Sequence, residues 1–503
     1  MYDLKELVDI VTLNKVKSIS VIGNQSEKDT KLMKLYNGIR QGKINTDEEA
    51  IHMIYKKEAG KSAYYKLKHT LKNRLIDTLF FIDTKKNKFS DKRRAYFICY
   101  KEMLAILTLV NRGARVTAVK MAEKLIKTTI KFEFTRLTSE LTKLLSRHYA
   151  NIEGDRKKYT YYSKLTRNYA QLSFAETLAE DFINDILSQY VIDKSEKSEL
   201  AIITGQYFKI LKEIELPTLS SNYIFMMGIM EIYHHMITND YVKTIELCNS
   251  YLKNLEGKES TNITALSAIH FQKIACCIQL QKYQEGKKSI DFCFTLLEEG
   301  TFNWFKSNEM YLSLCLHTQE YQLAWQTFKK VSSSTAFYKL PPSVGEPWKI
   351  YEAWLNLLIA MEKIKIDSVS NKVFKISRFM NEVPIFSKDK RGLNVPILIL
   401  QTLFQLQQRK YDHLIDRIEA LSKYQQRYLC KEENYRSYVF IKMLIEIPKA
   451  YFNKNLVIQK TEKWSSQLRL VPIEISNQNH DLEILPYQHI WTFVLDLLDK
   501  RSY

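Results

Sequence analysis

The sequence predicts an all-α protein, and three observations carry the prediction. Glycine and proline are scarce, 13 and 9 in 503 residues, roughly 3% and 2% against averages of about 7% and 5%. Helices tolerate neither residue well inside, whereas strand-rich folds need both at turns. Apolar residues recur at i, i+3 or i+4 in one segment after another, which is the helical period. Hydrophobic residues make up 45% and aromatics 12%, so such helices have enough apolar surface to bury a large core.

Residues 1–85 read as a separate helical module. A helix over Asp3–Thr12 leads to "VKSISVIG" (16–23), whose alternation is that of a strand. A second helix lies near Thr30–Arg40 and ends at the turn "QGKIN". Thr46 opens the third: in "TDEE" Thr46 covers a free amide, Glu49 reaches back, and the acids suit the positive helix end. "EAGK" makes a four-residue turn, and a fourth helix runs from Ser62 to about Phe81. Tyr64, Leu67, Leu71, Leu75 and Leu79 form its apolar stripe. Lys61, Tyr65, Lys66, His69, Lys72 and Arg74 fall outside the stripe, with Lys68 on its margin. "DTKKNKFSDKRR" (83–94) is a basic linker.

Residues 86–335 read as amphipathic helices in pairs, and the pattern recurs once beyond them, at Tyr411. "NDYVKTIELCNSYL", "QKYQEGKKSIDFCF", "QEYQLAWQTFKKV" and "RKYDHLIDRIEAL" each pass from a polar turn to a tyrosine that opens a helix: Tyr241, Tyr283, Tyr321 and Tyr411. Three residues after Tyr283 and Tyr321 stand the small Gly286 and Ala324, and seven after stand Ile290 and Phe328. "RGARVTAVKMAEKL" offers Ala118 and Ala122 after Arg115 in the same way. A small side chain lets two helices cross closely, and each hairpin buries its face only against the next. This resembles the turn and second helix of the tetratricopeptide repeat (TPR). The first three tyrosines are 42 and 38 residues apart, longer than the roughly 34-residue family repeat, and Thr244 and Leu414 stand where a small residue is expected. The resemblance implies a TPR-like superhelix of helical hairpins, with longer helices, and no activity.

"SSSTAFYKLPPSVGEPW" (332–348) breaks the array with three prolines, and residues 336–503 form a C-terminal helical block. Within it "NEVPIFSKDKRGLNVP" (381–396) is irregular. Its Lys388, Lys390 and Arg391 suit an acidic partner, or simply belong to a solvated loop. Arg427 and Arg436 are placed to bond carbonyls at helix ends or to meet Glu432 and Glu433. "EILPYQHIWTFVLDLL" makes the closing helix. Taken whole, the chain resembles an uncharacterised bacterial class of helical-repeat proteins, which again implies a fold alone.

Charge is unevenly placed. Of the net +19, residues 1–170 hold +18 (36 Lys and Arg against 18 Asp and Glu), and residues 171–503 hold +1. Residues 1–50 are balanced, 8 against 8, so the excess lies between 51 and 170. Such a field attracts polyanions: nucleic acid, an acidic protein face or an anionic surface. An AT-rich genome accounts for abundant lysine but less well for the asymmetry.

Motifs for chemistry are few. There is no G-x-x-x-x-G-K, G-x-G-x-x-G, G-x-S-x-G or H-E-x-x-H. Two E-x-x-H pairs, Glu49/His52 and Glu231/His234, have di-iron spacing. They are 182 residues apart, and Glu49 already has a capping role. No cofactor or metal is expected. Seven cysteines in apolar contexts, without C-x-x-C, read as core residues of a reducing compartment. The N-terminus has no signal core and no stretch is long enough to span a bilayer, so a cytoplasmic location is expected.

Two functional readings stand. In the first the protein is a non-enzymatic scaffold or adaptor that takes a protein segment in the groove of its array. In the second it is a regulator that contacts DNA or RNA through the basic region 46–170. The helix–turn–helix setting of the basic fourth helix then places Lys61, Tyr65, Lys66, Lys68, His69, Lys72 and Arg74 toward a polyanion. Against this stands the helix length and its single arginine, the commonest base reader.

Overall fold

Apolar residues spaced three and four apart fold here into helix after helix. The computed structural model describes residues 1–13, 30–55, 61–80, 91–192, 197–255, 263–366, 379, 394–429, 434–473 and 483–499. The strand expected at 16–23, the "EAGK" turn and residues 381–393 lie outside these. Among the described residues there is no strand, and no helix is long and apolar enough to cross a membrane.

By packing, the chain divides into two units, residues 1–170 and 171–503. The division coincides with the charge boundary read from the sequence. In the first unit α1 (Tyr2–Leu13), α2 (Lys31–Arg40), α3 (Asp47–Tyr55) and α4 (Lys61–Leu79) enclose one core built on Leu4, Val8, Leu35, Ile44, Tyr64 and Leu71. Tyr64, Leu71 and Leu75 of the α4 stripe are fully buried, and Leu67 and Leu79 pack against the same core. The capping box forms: Glu49 N–H donates to Thr46 Oγ1 and Thr46 N–H to Glu49 Oε2, both at 3.2 Å. α5 (Asp91–Asn111), α6 (Arg115–Lys131) and α7 (Thr135–His148) follow around a second core. A π-helical turn, Tyr149–Glu153, then leads to α8 (Arg156–Ile192), inside which the division falls.

The second unit continues with α9 (Lys197–Lys212), α10 (Ser221–Ile237), α11 (Tyr241–Leu255), α12 (Ile263–Gln279), α13 (Tyr283–Leu296), α14 (Phe302–His317) and α15 (Tyr321–Ser332). Each packs on its successor from α9 to α10 and from α10 through α15, and α12 also packs on α10 and α14. This packing is consistent with a helical repeat. α16 (Pro342–Ala360), α17 (Asn394–Gln407), α18 (Tyr411–Tyr428), α19 (Tyr435–Lys449), α20 (Lys454–Leu470) and α21 (Tyr487–Asp499) complete the chain.

Six hairpins share one turn. The residue two before α6, α7, α11, α13, α15 and α18 has positive φ: Gly113, Glu133, Asn239, Gln281, Gln319 and Arg409. The next residue donates its N–H to the carbonyl five residues back, for example Lys282 to Cys277 and Glu320 to Cys315, both at 2.8 Å. This is the Schellman arrangement, which satisfies carbonyls left open at a helix end. Helices therefore start at Arg115, Tyr241, Tyr283, Tyr321 and Tyr411, the residues that the repeat pattern marks. The position three residues into each of these helices is buried whether it is Ala118, Thr244, Gly286, Ala324 or Leu414. At Gly286 the crossing is close, since a Cβ there would lie 2.7 Å from Leu314 Cδ2.

The three prolines after residue 340 do not hold a loop open, contrary to expectation. Pro341 caps α16 and Pro342 is its first residue, where the missing N–H has no helical partner to lose; Pro347 sits inside the helix. α15 packs on α16, and one apolar core runs from Trp304 to Leu498. The chain is thus packed continuously across residue 335. Near its end Arg436 is fully buried with Glu483. Its Nε donates to Glu483 Oε2 at 2.8 Å and its Nη2 to Glu483 Oε1 at 2.6 Å. Nη1 donates to the carbonyls of Leu468 and Val471, and Nη2 also to Gln488 Oε1. The expected contact with helix-end carbonyls is present, and the acid comes from 47 residues away.

Candidate functional site: the basic face of the N-terminal unit

The α4 side chains divide between solvent and the other helices of the module. Tyr64, buried by the stripe, donates its hydroxyl to Asp47 Oδ1 at 2.5 Å. Lys68 Nζ binds the same carboxylate at 2.8 and 3.0 Å. Burial alone raises the Asp47 pKa, but the hydrogen bonds from Lys68 and Tyr64 outweigh it and hold the group below its usual range. Lys72 Nζ lies 3.0 Å from Asp3 Oδ2, which lowers the Asp3 pKa in turn. His69 Nε2 is 3.1 Å from Asn73 Nδ2, and Arg74 is also engaged with neighbours. Lys61, Tyr65 and Lys66 are exposed. Two of the lysines proposed for a polyanion are thus held by aspartates of α1 and α3. Lys388, Lys390 and Arg391 lie outside the described residues.

A cleft of about 600 Å³ opens elsewhere in the unit, where α5, the start of α6, α7 and the π-helical turn meet. Met103, Leu107, Val110 and Leu144 give it apolar walls. Arg115, Lys143 and Arg147 stand at its rim with one acid, Glu140. All three cations are exposed. Lys143 and Arg147 are one helical turn apart on α7, so both charges point the same way.

The lip of the cleft is fixed by its own contacts. The π-helical turn carries Asn151 and Ile152 to the opening and ends at Gly154, whose φ is +68°. Before the turn, His148 Nε2 lies 2.9 Å from Glu153 Oε1. Tyr149 donates to Glu123 Oε1 at 2.7 Å and accepts from Lys158 Nζ at 3.1 Å. Its ring stacks on Tyr162 at 5.6 Å. Burial, with Glu123 beside it, pushes the Tyr149 phenol up to about 12, so it stays neutral and donates. A fixed apolar trough with a cationic rim suits a ligand that carries apolar groups and negative charge together.

Sequence reasoning named Arg115 for its place in the repeat and missed Lys143 and Arg147 as site residues. Their signal was an i, i+4 cationic pair around the half-buried Leu144. Other marked residues have structural work. Glu231 accepts the Tyr251 hydroxyl at 2.7 Å, and Thr204 Oγ1 lies 3.2 Å from His234 Nδ1. Among the described residues six cysteines are buried free thiols, and burial pushes Cys248, Cys277, Cys293 and Cys315 up to about 12; such thiols are inert.

Comparison with protein-family models, with curated proteins and with solved structures returns no match to this chain.

Proposed function

We propose that the protein is a non-enzymatic scaffold or adaptor that seats a segment of a protein partner against its helical hairpins, which are arranged in TPR-like fashion. The observation that carries this reading is the α5–α7 cleft: Leu107 is exposed and Val110 and Leu144 half-buried on its apolar wall, and three exposed cations line it. A partner segment would lay apolar side chains on Leu107 and Leu144 and carboxylates near Arg115, Lys143 and Arg147. The test is selection from a displayed random-peptide library on the full-length protein. Peptides combining acidic and apolar residues should be enriched on the wild type and lost on Leu107→Asp and on Arg147→Glu, both at exposed positions. Failure to enrich any peptide, or enrichment that survives both substitutions, would overturn the reading.

A second reading, a nucleic-acid-binding regulator, is favoured by one observation: the packing unit 1–170 carries +18 and the unit 171–503 carries +1. Lys68 and Lys72, already paired, make α4 a poorer contact than its composition suggests.

A further inference from the structure

We propose that the N-terminal end of α5 is a stacking site for single-stranded nucleic acid. The site rests on the second reading above and gives it a location away from α4.

Five rings form a connected cluster. Tyr96 packs on Tyr100 at 4.5 Å, and meets Phe134 edge-on at 5.5 Å and Phe97 at 6.0 Å. Phe134 in turn stacks on Phe132 at 5.9 Å, with planes 18° apart. Rings that gather like this ordinarily close a core. Here Tyr96, Phe97 and Tyr100 are 44%, 45% and 42% exposed. Residues 96 and 100 are one helical turn apart, so their rings lie one above the other on α5.

Cations and acids both stand around the rings, Lys101, Lys131 and Arg136 with Glu102, Glu133 and Glu140, within a unit whose net charge is +18. Lys131 Nζ lies 5.5 Å from the centre of the Phe132 ring. Arg136, exposed at the start of α7, acts electrostatically on Tyr100, as does Glu140 with opposite sign. Lys101 is exposed beside Tyr100 and reaches the Phe80 carbonyl at 3.2 Å.

Exposed rings within a unit of net charge +18 select among polyanions. An acidic peptide satisfies the charge and meets the rings only where it also carries apolar or aromatic side chains. A duplex keeps its bases stacked on one another and presents phosphates and base edges, with no π-face for a ring to stack on. A single strand offers both a π-face on every base and a phosphate beside it. The hydrogen-bond readout of bases is not needed, so the site is tolerant of sequence.

The experiment is fluorescence anisotropy of the full-length protein with labelled 12-nucleotide oligo-dT and oligo-U at 50 mM salt. Binding should appear and weaken steeply with salt. Tyr96→Ala, Phe97→Ala and Tyr100→Ala should each weaken it about 5-fold or more, with the salt slope unchanged. Lys131→Ala and Arg136→Ala should each lower the slope by about 0.7. Phe97→Trp should retain binding, which separates stacking from a folding defect, and circular dichroism should show unchanged helix content. If the wild type binds and all three ring variants bind equally well, this site is wrong while the nucleic-acid reading stands. If the wild type does not bind at 50 mM salt, both fall. If polyglutamate of equal charge competes as well as the oligonucleotide, the occupant is an acidic protein and the proposal is overturned.

Discussion

Glu483→Ala should strip its acid from a cation with no access to water. Arg436 has five N–H groups, and the structure gives each an acceptor: two on Glu483, the carbonyls of Leu468 and Val471, and Gln488 Oε1. Glu483 Oε1 also accepts the Tyr487 N–H at 2.7 Å, at the start of α21. Both side chains are 0% exposed. Removing one partner of such a pair costs about 3–5 kcal/mol, mostly from the charge left behind. The double change Arg436→Met with Glu483→Leu removes the charge altogether. It still leaves the Val471 carbonyl without its donor and the Tyr487 N–H without its acceptor, at about 1–3 kcal/mol each. The double variant should therefore lose about 2–6 kcal/mol, below the sum of the two singles. Urea unfolding followed by tryptophan fluorescence reads this directly, because all six tryptophans lie between Trp304 and Trp491 and report residues 171–503 alone. A loss under about 1 kcal/mol for the single change, or a double equal to the sum, refutes the reasoning.

Three further outcomes are expected. His270 is 8% exposed beside Phe292, and burial, with Lys273 nearby, lowers its pKa from 6.5 to about 4. The unfolded chain takes the proton first, so stability is full above about pH 6.5 and falls as pH drops through about 4. The loss is at most about 3 kcal/mol at 1.36 kcal/mol per pH unit, and His270→Leu should flatten the urea midpoint across that window. Gln281→Gly and Gln319→Gly relieve positive φ at two hairpin turns, where a Cβ costs roughly 1 kcal/mol. Each should raise the unfolding free energy by up to that amount, against a backbone-entropy offset, and a large fall in stability counts against the turn assignment. Gly286→Ala drives a Cβ to 2.7 Å from Leu314 and should cost about 1–3 kcal/mol; combined with Leu314→Ala, itself costing about 2–5 kcal/mol at a buried site, the loss should be less than the sum, and full additivity would show that the strain lies elsewhere.

Much of the helical order was legible because it is written in local residues. Thr46 and Glu49 announce their capping box, and Tyr241, Tyr283 and Tyr321 mark where second helices begin. The turns before them were less legible, since Gln281, Gln319 and Arg409 adopt a conformation that sequence reading looks for at glycine. The prolines of 341–347 misled for a related reason: at a helix start they are compatible with the helix they ordinarily stop. The site was harder still. That Lys68 and Lys72 are held by Asp47 and Asp3 depends on how α1 and α3 meet α4, over separations of 21 and 69 residues. The cleft draws on three helices, and the cationic pair Lys143 and Arg147 marks only one side of it.

The recurring turn has a consequence for how this chain can change length. Its geometry is the same whether the residue at positive φ is glycine, glutamate, asparagine, glutamine or arginine. A joint that accepts so many residues is indifferent to which hairpin stands on either side. Gain or loss of one whole hairpin, cut at two such joints, leaves both new neighbours joined by a linkage that each already uses.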